Sequence, residues 1–291
     1  MINKDHYYSI THIIILCFLF RYVTREYICW SHQCPGREDF HYDDPISAKN
    51  DLDARIVHGR RARKRQFPWH ASIFISDADT VVLTCGGSLI RPQWVLTAAH
   101  CLQIEGHPII DLLLLFGAID TSIIDENVRK GYPSQWFVHQ DYNASTQYAD
   151  IGLIKLNDSM KKTEYIKTIK IGSPIRSGTL AILPGFGATR KNFDNTRLHY
   201  AILTTIRNTE CKKHINGLFN SEICTEISNK ENVCDGDSGG GLIIQEHGEW
   251  KLVGVAIFAI DLPARICTSP SGFTRISFYK RWISNVMNNH P

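Results

Sequence analysis

The chain has 291 residues, and 32 lysines and arginines against 29 aspartates and glutamates give it a net charge of +3. So small a charge does not favour a nucleic-acid partner, and the length allows one large all-β unit or two small barrels. Nine cysteines are present without the paired Cys-x-x-Cys spacing of zinc sites, so we expect no metal site.

The N-terminal residues contain a short apolar run, Ile13–Phe20, behind Lys4. This run is too short to cross a bilayer and is typical of a signal-peptide core, so we expect residues 1–24 to direct secretion without stable membrane insertion. Thr11 and His12 interrupt its start and no small-residue cleavage site follows, which leaves a membrane anchor as the alternative.

The next segment, from about Arg25 to Arg55, is polar and acidic and has no core pattern. We therefore expect it to lie outside the folded core. The sequence leaves the pairing of its two cysteines, Cys29 and Cys34, open.

After Gly59 the chain alternates short apolar runs with turn residues, which predicts an all-β sandwich or barrel. The predicted strands are His70–Ile75, Val81–Thr84, Ser88–Ile90, Trp94–Thr97, Leu112–Gly117, Ser134–His139, Asp150–Leu156, Thr179–Pro184, His199–Thr205, Gly241–Gln245 and Lys251–Ala259. An apolar stripe at helical spacing then predicts a terminal helix over Phe278–Met287.

The strongest functional signal is Gly236-Asp237-Ser238-Gly239-Gly240, which follows Ala98-Ala99-His100-Cys101 and Ala149-Asp150-Ile151 in the chain. A serine hydroxyl is a weak nucleophile unless an imidazole takes its proton and a carboxylate orients that imidazole. Backbone N–H groups must also meet the oxyanion that forms. Together the three motifs predict a nucleophilic serine site.

The serine segment also fits Gly-x-Ser-x-Gly, the nucleophile elbow of lipases and esterases. In that arrangement the acid and the histidine follow the serine, and the serine opens a helix. Here both precede it, and the glycines run into Gly241–Ile244, which predicts a strand. A glycine-rich turn with a surface serine is the other alternative, which the two upstream motifs disfavour.

The motifs resemble those of the chymotrypsin-fold serine peptidases and occur in that family's order. The matching segments are Arg55-Ile56-Val57-His58-Gly59, Gln66-Phe67-Pro68-Trp69, Cys85-Gly86-Gly87-Ser88-Leu89-Ile90, Trp94–Cys101, Asp150–Leu156, Gly236–Gly240 and Gly272-Phe273-Thr274-Arg275. The resemblance implies two antiparallel six-stranded β-barrels, with the active site between them and a C-terminal α-helix.

The resemblance also implies how the chain is organised. Residues 25–55 become a pro-segment, and the peptidase domain spans 56–291. Within that domain, barrel one is expected at about 56–160, barrel two at about 175–275, and the helix at about 278–287.

The same resemblance assigns the catalytic roles. Ser238 would attack the scissile carbonyl, His100 would take its proton and pass it to the leaving amine, and Asp150 would stay ionised and orient His100. The N–H groups of Gly236 and Ser238 would form the oxyanion hole. This chemistry needs no metal or organic cofactor. The expected partners are a protein or peptide substrate and protein inhibitors.

Activation is expected by cleavage after Arg55, performed by an activating protease. The new α-amino group of Ile56 would pair with Asp237, beside the nucleophile, and shape the oxyanion loop. Pairing would raise the pKa of that amine, so activity should fall at alkaline pH as the amine loses its proton. His58 departs from the glycine that usually follows Ile-Val in the family.

The specificity pocket departs most from the family's pattern. Asn232 stands where trypsin-like relatives carry the aspartate that meets lysine or arginine, with the adjacent Glu231 as an alternative anion. Ala259 narrows the specificity pocket slightly, because relatives carry a glycine there, and Ser271 is expected on the facing wall of the pocket. Ile257 replaces a serine whose hydroxyl supports the catalytic aspartate in relatives, so Asp150 would lack that support. We therefore expect uncharged or apolar substrate side chains to be accepted, and little preference for lysine or arginine.

Six cysteines follow Arg55 and allow 15 pairings by arithmetic alone. The resemblance selects Cys85–Cys101, Cys211–Cys224 and Cys234–Cys267. Disulfides imply an oxidising compartment, and so a secreted, extracellular protein. The alternative from another class is a catalytically weak or inactive homologue that acts as a binding protein.

Two charged segments remain open. The cations Arg60, Arg61, Arg63, Lys64 and Arg65 are interpreted as a solvated loop, with a heparin-like polyanion site or a second proteolytic cut as alternatives. The acidic loop Asp120–Glu126 is interpreted as solvated, with a calcium site as the alternative.

Overall fold

The computed structural model describes residues 59–76, 81–104, 109, 111–187, 196–215, 217–226, 233–234, 236–259 and 270–291, without the side chains of 81–83, 258 and 259. All of these lie in Asp51–Pro291, one of the two units into which the chain divides. The predicted signal peptide, the pro-segment, the activation residues Arg55 and Ile56, and the pair Cys29 and Cys34 fall outside the described residues.

The first sheet has seven antiparallel strands among the described residues, in the order β6-β5-β2-β3-β4-β8-β7. The strands are β2 (His70–Ser76), β3 (Val81–Arg91), β4 (Trp94–Thr97), β5 (Asp111–Phe116), β6 (Arg129–Gly131), β7 (Pro133–Val138) and β8 (Gly152–Leu156). Its inner face is aliphatic and fully buried, as Ile73, Leu114 and Leu153 illustrate. Within the described residues no pairing joins its two edge strands, β6 and β7, so this sheet is a half-barrel.

The second sheet contains the remaining strands. These are β1 (Arg60–Arg61), β9 (Lys170–Ile171), β10 (Leu180–Gly185), β11 (His199–Ile206), β12 (Glu222–Thr225), β13 (Gly241–Glu246), β14 (Glu249–Ala259) and β15 (Ser271–Arg275). The path β11-β10-β13-β14-β15-β12 returns to β11 and closes a six-stranded antiparallel barrel. β1 pairs with the first two residues of β11, and β9 lies parallel to β14.

Two helices complete the described structure. The short helix α1 (Asn208–Cys211) follows β11, and α2 (Ile276–Asn289) ends the chain. α2 buries Ile276, Tyr279 and Ile283 on one side. The stripe that predicted the helix, Phe278, Trp282, Ile283 and Val286, overlaps this face only in part, because Phe278 is 60% exposed. Among the described helices none has the length and apolar character needed to cross a membrane.

The predicted all-β class with two barrel-like sheets and a C-terminal helix is confirmed, although only the second sheet closes. The predicted strands Val81–Thr84 and Ser88–Ile90 form one strand, β3. The glycines between them mark a close approach instead of a turn, because a Cβ on Gly86 would lie 2.9 Å from the Gly240 Cα, and one on Gly87 would lie 2.7 Å from the Val95 side chain.

The two sheets meet where that close approach occurs. The N–H of Gly86 on β3 donates to the carbonyl of Ser238 at 2.7 Å, which ties the first sheet to the segment that leads into β13. One buried hydrophobic cluster also spans both sheets, since Ile73 of β2 and Val255 of β14 belong to it. The predicted nucleophile therefore lies at the junction of the two sheets.

Candidate active site

The pairing of β4 with β8 brings His100 and Asp150 together. Thr97 of β4 lies opposite Gly152 of β8, so the turn after β4 and the residues just before β8 are adjacent. His100 Nδ1 lies 2.7 Å from one carboxylate oxygen of Asp150, and its backbone N–H donates to the other at 2.9 Å. Asp150 is fully buried, whereas the His100 side chain is 24% exposed. One side of the imidazole is thus held by the carboxylate, and the ring reaches solvent.

This geometry has a direct chemical consequence. A carboxylate on Nδ1 favours the tautomer with the proton on that nitrogen, which leaves Nε2 free to accept a proton. It also stabilises the imidazolium that forms when Nε2 does so. The pair has the arrangement that a general base requires.

The residue that follows Ser238, Gly239, packs against the turn that carries His100, and this places Ser238 beside that turn. Gly239 has a φ of +77°, and a Cβ there would overlap the Thr97 hydroxyl and the Gly86 carbonyl and would lie 3.2 Å from the Cys101 sulfur. Ser238 itself is partly exposed. No hydrogen bond joins its hydroxyl to His100 in the described part of the chain. Such bonds are often long before substrate binds.

The segment that carries Ser238 holds two backbone N–H groups with no described acceptor, those of Gly236 and Ser238. The N–H of Asp237 donates to the Cys234 carbonyl at 3.0 Å, but the N–H groups of Gly236 and Ser238 have no acceptor within the described residues. Gly236 has a φ of +92°, a conformation that favours glycine. Backbone N–H groups that no described residue engages are the kind of donor that can bind a negatively charged oxygen.

Asp237 is buried next to these donors. Its two carboxylate oxygens accept the N–H groups of Gly187 and Cys234, each at 2.9 Å. The carboxylate fills the space beside Gly185 and Gly187 so closely that a Cβ on either residue would overlap it. The predicted partner, the amine of Ile56, lies outside the described residues.

Two of the three implied disulfides are present, Cys85–Cys101 and Cys211–Cys224. Cys234 is also disulfide-bonded, and its implied partner Cys267 lies outside the described residues. Ligand atoms of Cys85, Cys101 and His100 lie within 4.8 Å of one another. Because the two sulfurs are joined as a disulfide, this group is not a metal site. The disulfide instead braces the turn that carries His100.

The predicted specificity pocket is described only in part. Ser271 is fully buried, and its hydroxyl has no hydrogen-bond partner among the described residues. It stands opposite Ala259 across the β14–β15 ladder. Asn232, Glu231 and the Ala259 side chain lie outside the description, so the composition of the pocket stays a prediction.

The structure adds residues to the site that sequence reasoning missed. The Thr274 hydroxyl donates to the Asp150 carbonyl at 2.6 Å and links β15 to the acid of the pair. Glu222 is 4% exposed and accepts the Phe219 N–H at 2.8 Å. Thr274 belongs to a segment that matches the family but had no assigned role. Glu222 gave no signal, since a glutamate in a short strand is usually solvated.

Burial perturbs the ionisable groups near the pair. Desolvation raises the pKa of Glu222 to about 7; the Phe219 N–H opposes this rise, and the Asp150 charge adds to it. Desolvation and the same charge raise the pKa of Tyr142 to about 12. On β2, burial alone lowers the pKa of His70 to about 4. The surroundings of Asp150 therefore disfavour a second negative charge.

Comparison with known proteins places the chain in a family. Residues 56–283 match the family model described as Trypsin. The chain is 30% identical to a chymotrypsin of Phaedon cochleariae over 83% of this chain and 86% of the relative, and 27% identical to chymotrypsin-like elastase family member 1 of Rattus norvegicus over 81% and 91%. A solved structure of HL collagenase is similar, with a TM-score of 0.70, 27% identity and coverage of 80% of this chain and 99% of that chain. The chain therefore belongs to the Trypsin family, with the chymotrypsin fold.

Proposed function

We propose that the protein is a secreted serine endopeptidase, made as a zymogen and activated by cleavage after Arg55. Ser238 attacks the scissile carbonyl, and His100 takes its proton and then donates it to the leaving amine. Asp150 stays ionised and stabilises the His100 imidazolium. The N–H groups of Gly236 and Ser238 bind the oxyanion, and water hydrolyses the acyl-enzyme.

The observation that carries this proposal is the fully buried Asp150 carboxylate with both oxygens on His100. A buried carboxylate is costly unless its hydrogen bonds compensate for lost water, and here one partly exposed histidine supplies both. An arrangement that holds an imidazole so firmly suits proton transfer. The N–H groups of Gly236 and Ser238, which no described residue engages, support the same chemistry, since removal of one oxyanion donor costs about 3 kcal/mol of barrier in related sites.

Activation is proposed to act through Asp237. Its burial beside Gly185 and Gly187 holds the oxyanion turn, because the carboxylate accepts N–H groups from both neighbouring segments. The freed Ile56 amine would neutralise this buried charge. A substrate preference for uncharged or apolar side chains follows from Asn232, and the relatives named as an elastase and a chymotrypsin support a peptidase activity.

Labelling with a fluorophosphonate tests the nucleophile. The full-length chain is cut after Arg55 by a protease of arginine specificity, and N-terminal sequencing verifies that Ile56 is exposed. We expect the cut chain to be labelled at Ser238 and to hydrolyse peptides. The Ser238→Ala variant should lose both properties, whereas Ser159→Ala, at an exposed loop serine, should keep both.

Peptides varied at the residue before the scissile bond test the specificity. Fast cleavage after leucine, phenylalanine or alanine with slow cleavage after arginine supports the pocket assignment, and selective cleavage after arginine contradicts it. An inactive binding protein is the second candidate, motivated by Ile257 and His58 at positions where relatives carry other residues. Absence of labelling in the cut, folded chain would establish that candidate.

A further inference from the structure

A concave cationic surface shares no residue with the candidate active site. Arg60, Arg61, Arg63, Lys64 and Arg65, with Gln66, line a cavity of about 680 Å³. All five cations are exposed. Among the described residues no acidic side chain lines the cavity. We call these five residues the cationic surface.

The backbone beneath these side chains is ordered by its own contacts. β1 pairs with β11, with Arg60 opposite Tyr200, and the next residue, buried Ala62, donates its N–H to the Leu198 carbonyl at 2.9 Å. The following turn is closed twice, because Gln66 N–H donates to the Arg63 carbonyl at 3.1 Å and Arg63 N–H donates to the Gln66 side chain at 2.9 Å. The cations are therefore presented on a fixed scaffold, which lowers the entropy lost when an anion binds.

Internal ion pairs neutralise only part of this charge. Lys64 contacts Asp125 at 2.9 Å, and Arg65 contacts Glu164 at 2.8 Å. Within the described residues Arg61 and Arg63 have no carboxylate within 4.0 Å and no side-chain hydrogen bond. Two guanidinium groups thus line the cavity with their donors unused by any described residue.

We propose that the cationic surface binds a sulfated polysaccharide. Guanidinium groups are weakly hydrated and match the geometry of sulfate oxygens with paired donors, and neighbouring cations on one fixed turn suit a chain with repeated negative charges. A single-stranded nucleic acid fits less well because its bases need aromatic stacking platforms. Among the described residues that line this cavity the one aromatic is Tyr200, and its ring already packs edge-on against Phe67, with ring centroids 5.3 Å apart.

This site goes beyond the proposed peptidase function and uses none of its catalytic groups. It is tested on the full-length Ser238→Ala chain, which cannot cleave itself. Heparin is the probe, and the salt concentration at elution from heparin resin is compared with that from a sulfopropyl cation exchanger. We expect elution from heparin at a higher salt concentration, because retention on the exchanger depends on overall charge, whereas retention on heparin also depends on specific binding to the cationic surface.

The informative variant is the double substitution Arg61→Gln and Arg63→Gln. Its matched control is Lys280→Gln and Arg281→Gln, two exposed cations on α2. In solution we expect the first pair to weaken heparin binding about tenfold and the control pair to leave it nearly unchanged. The slope of log affinity against log salt should fall by about two for the first pair only.

Three results would overturn the proposal. The first is equal elution of the parent chain from both resins, and the second is an equal loss of affinity in both double variants. The third is tighter binding of single-stranded or duplex DNA than of heparin at the same concentration of charge, which would assign the surface to a nucleic acid instead.

Discussion

Glu222 provides a quantitative test of how burial shapes this molecule. Its pKa is raised from 4.5 to about 7, so the folded protein holds this proton more tightly than the unfolded chain does. The stabilising contribution of the protonated form is complete below about pH 4.5 and is lost as pH rises through about 7. At about 1.4 kcal/mol per pKa unit, the ionised carboxylate costs the folded state about 3 kcal/mol at pH 8.

The perturbation is Glu222→Gln, which imitates the neutral acid and keeps an oxygen to accept the Phe219 N–H. On the inactive Ser238→Ala background we expect similar unfolding midpoints for parent and variant at pH 4. At pH 8 the variant should be more stable by up to about 3 kcal/mol. The measurement is urea unfolding followed by tryptophan fluorescence at pH 4, 5, 6, 7 and 8, with disulfides intact.

Glu226→Gln is the matched control, because this residue follows the same strand but is exposed. Its effect should not change across the series. If Glu222→Gln and its parent follow parallel curves from pH 4 to 8, the carboxyl is not perturbed by burial and the reasoning fails.

Three further predictions concern His70, Asp150 and Gly239. Burial lowers the pKa of His70 to about 4, so the stability that the neutral imidazole contributes is present above pH 6.5 and is lost as pH falls towards 4. The His70→Gln variant should lose less stability over that range than the parent, by at most about 3 kcal/mol. If urea unfolding shows the same fall in stability between pH 6.5 and 4 for both proteins, the prediction is contradicted. Asp150→Asn should lower kcat by about 10⁴ through the wrong imidazole tautomer, measured on the cut enzyme with a peptide substrate, and a loss below tenfold would argue against the assigned role. Gly239→Ala should lower the free energy of unfolding by about 3 kcal/mol or more, because it combines a φ of +77° with overlap of the Thr97 hydroxyl. Gly248→Ala is the control, since it has a φ of +78° and open space around its Cβ, and it should lower the same free energy by about 1 kcal/mol. Equal losses in the two variants would show that the structure relieves the overlap at Gly239.

Where an element forms its own repeating pattern, sequence reasoning located it well. The helix predicted over Phe278–Met287 is observed over Ile276–Asn289, and β4 has its predicted bounds. β12 and β15 were missed because their few residues are buried on both faces and show no alternation. The break predicted near Gly86 was wrong, since that glycine is required by the neighbouring Gly240 backbone and that contact is not local in sequence.

The candidate site shows the same contrast between local patterns and contacts between distant residues. Sequence alone determined which residue types are present and in what order, because a nucleophile, a base and an acid leave a fixed chemical signature within short motifs. Only the tertiary structure decided that both oxygens of Asp150 engage His100, that Thr274 ties β15 to the Asp150 backbone, and that Glu222 is buried nearby. Those features depend on burial and on pairings between residues 50 to 124 positions apart, and local patterns carry no information about the electrostatic environment that such distant contacts create.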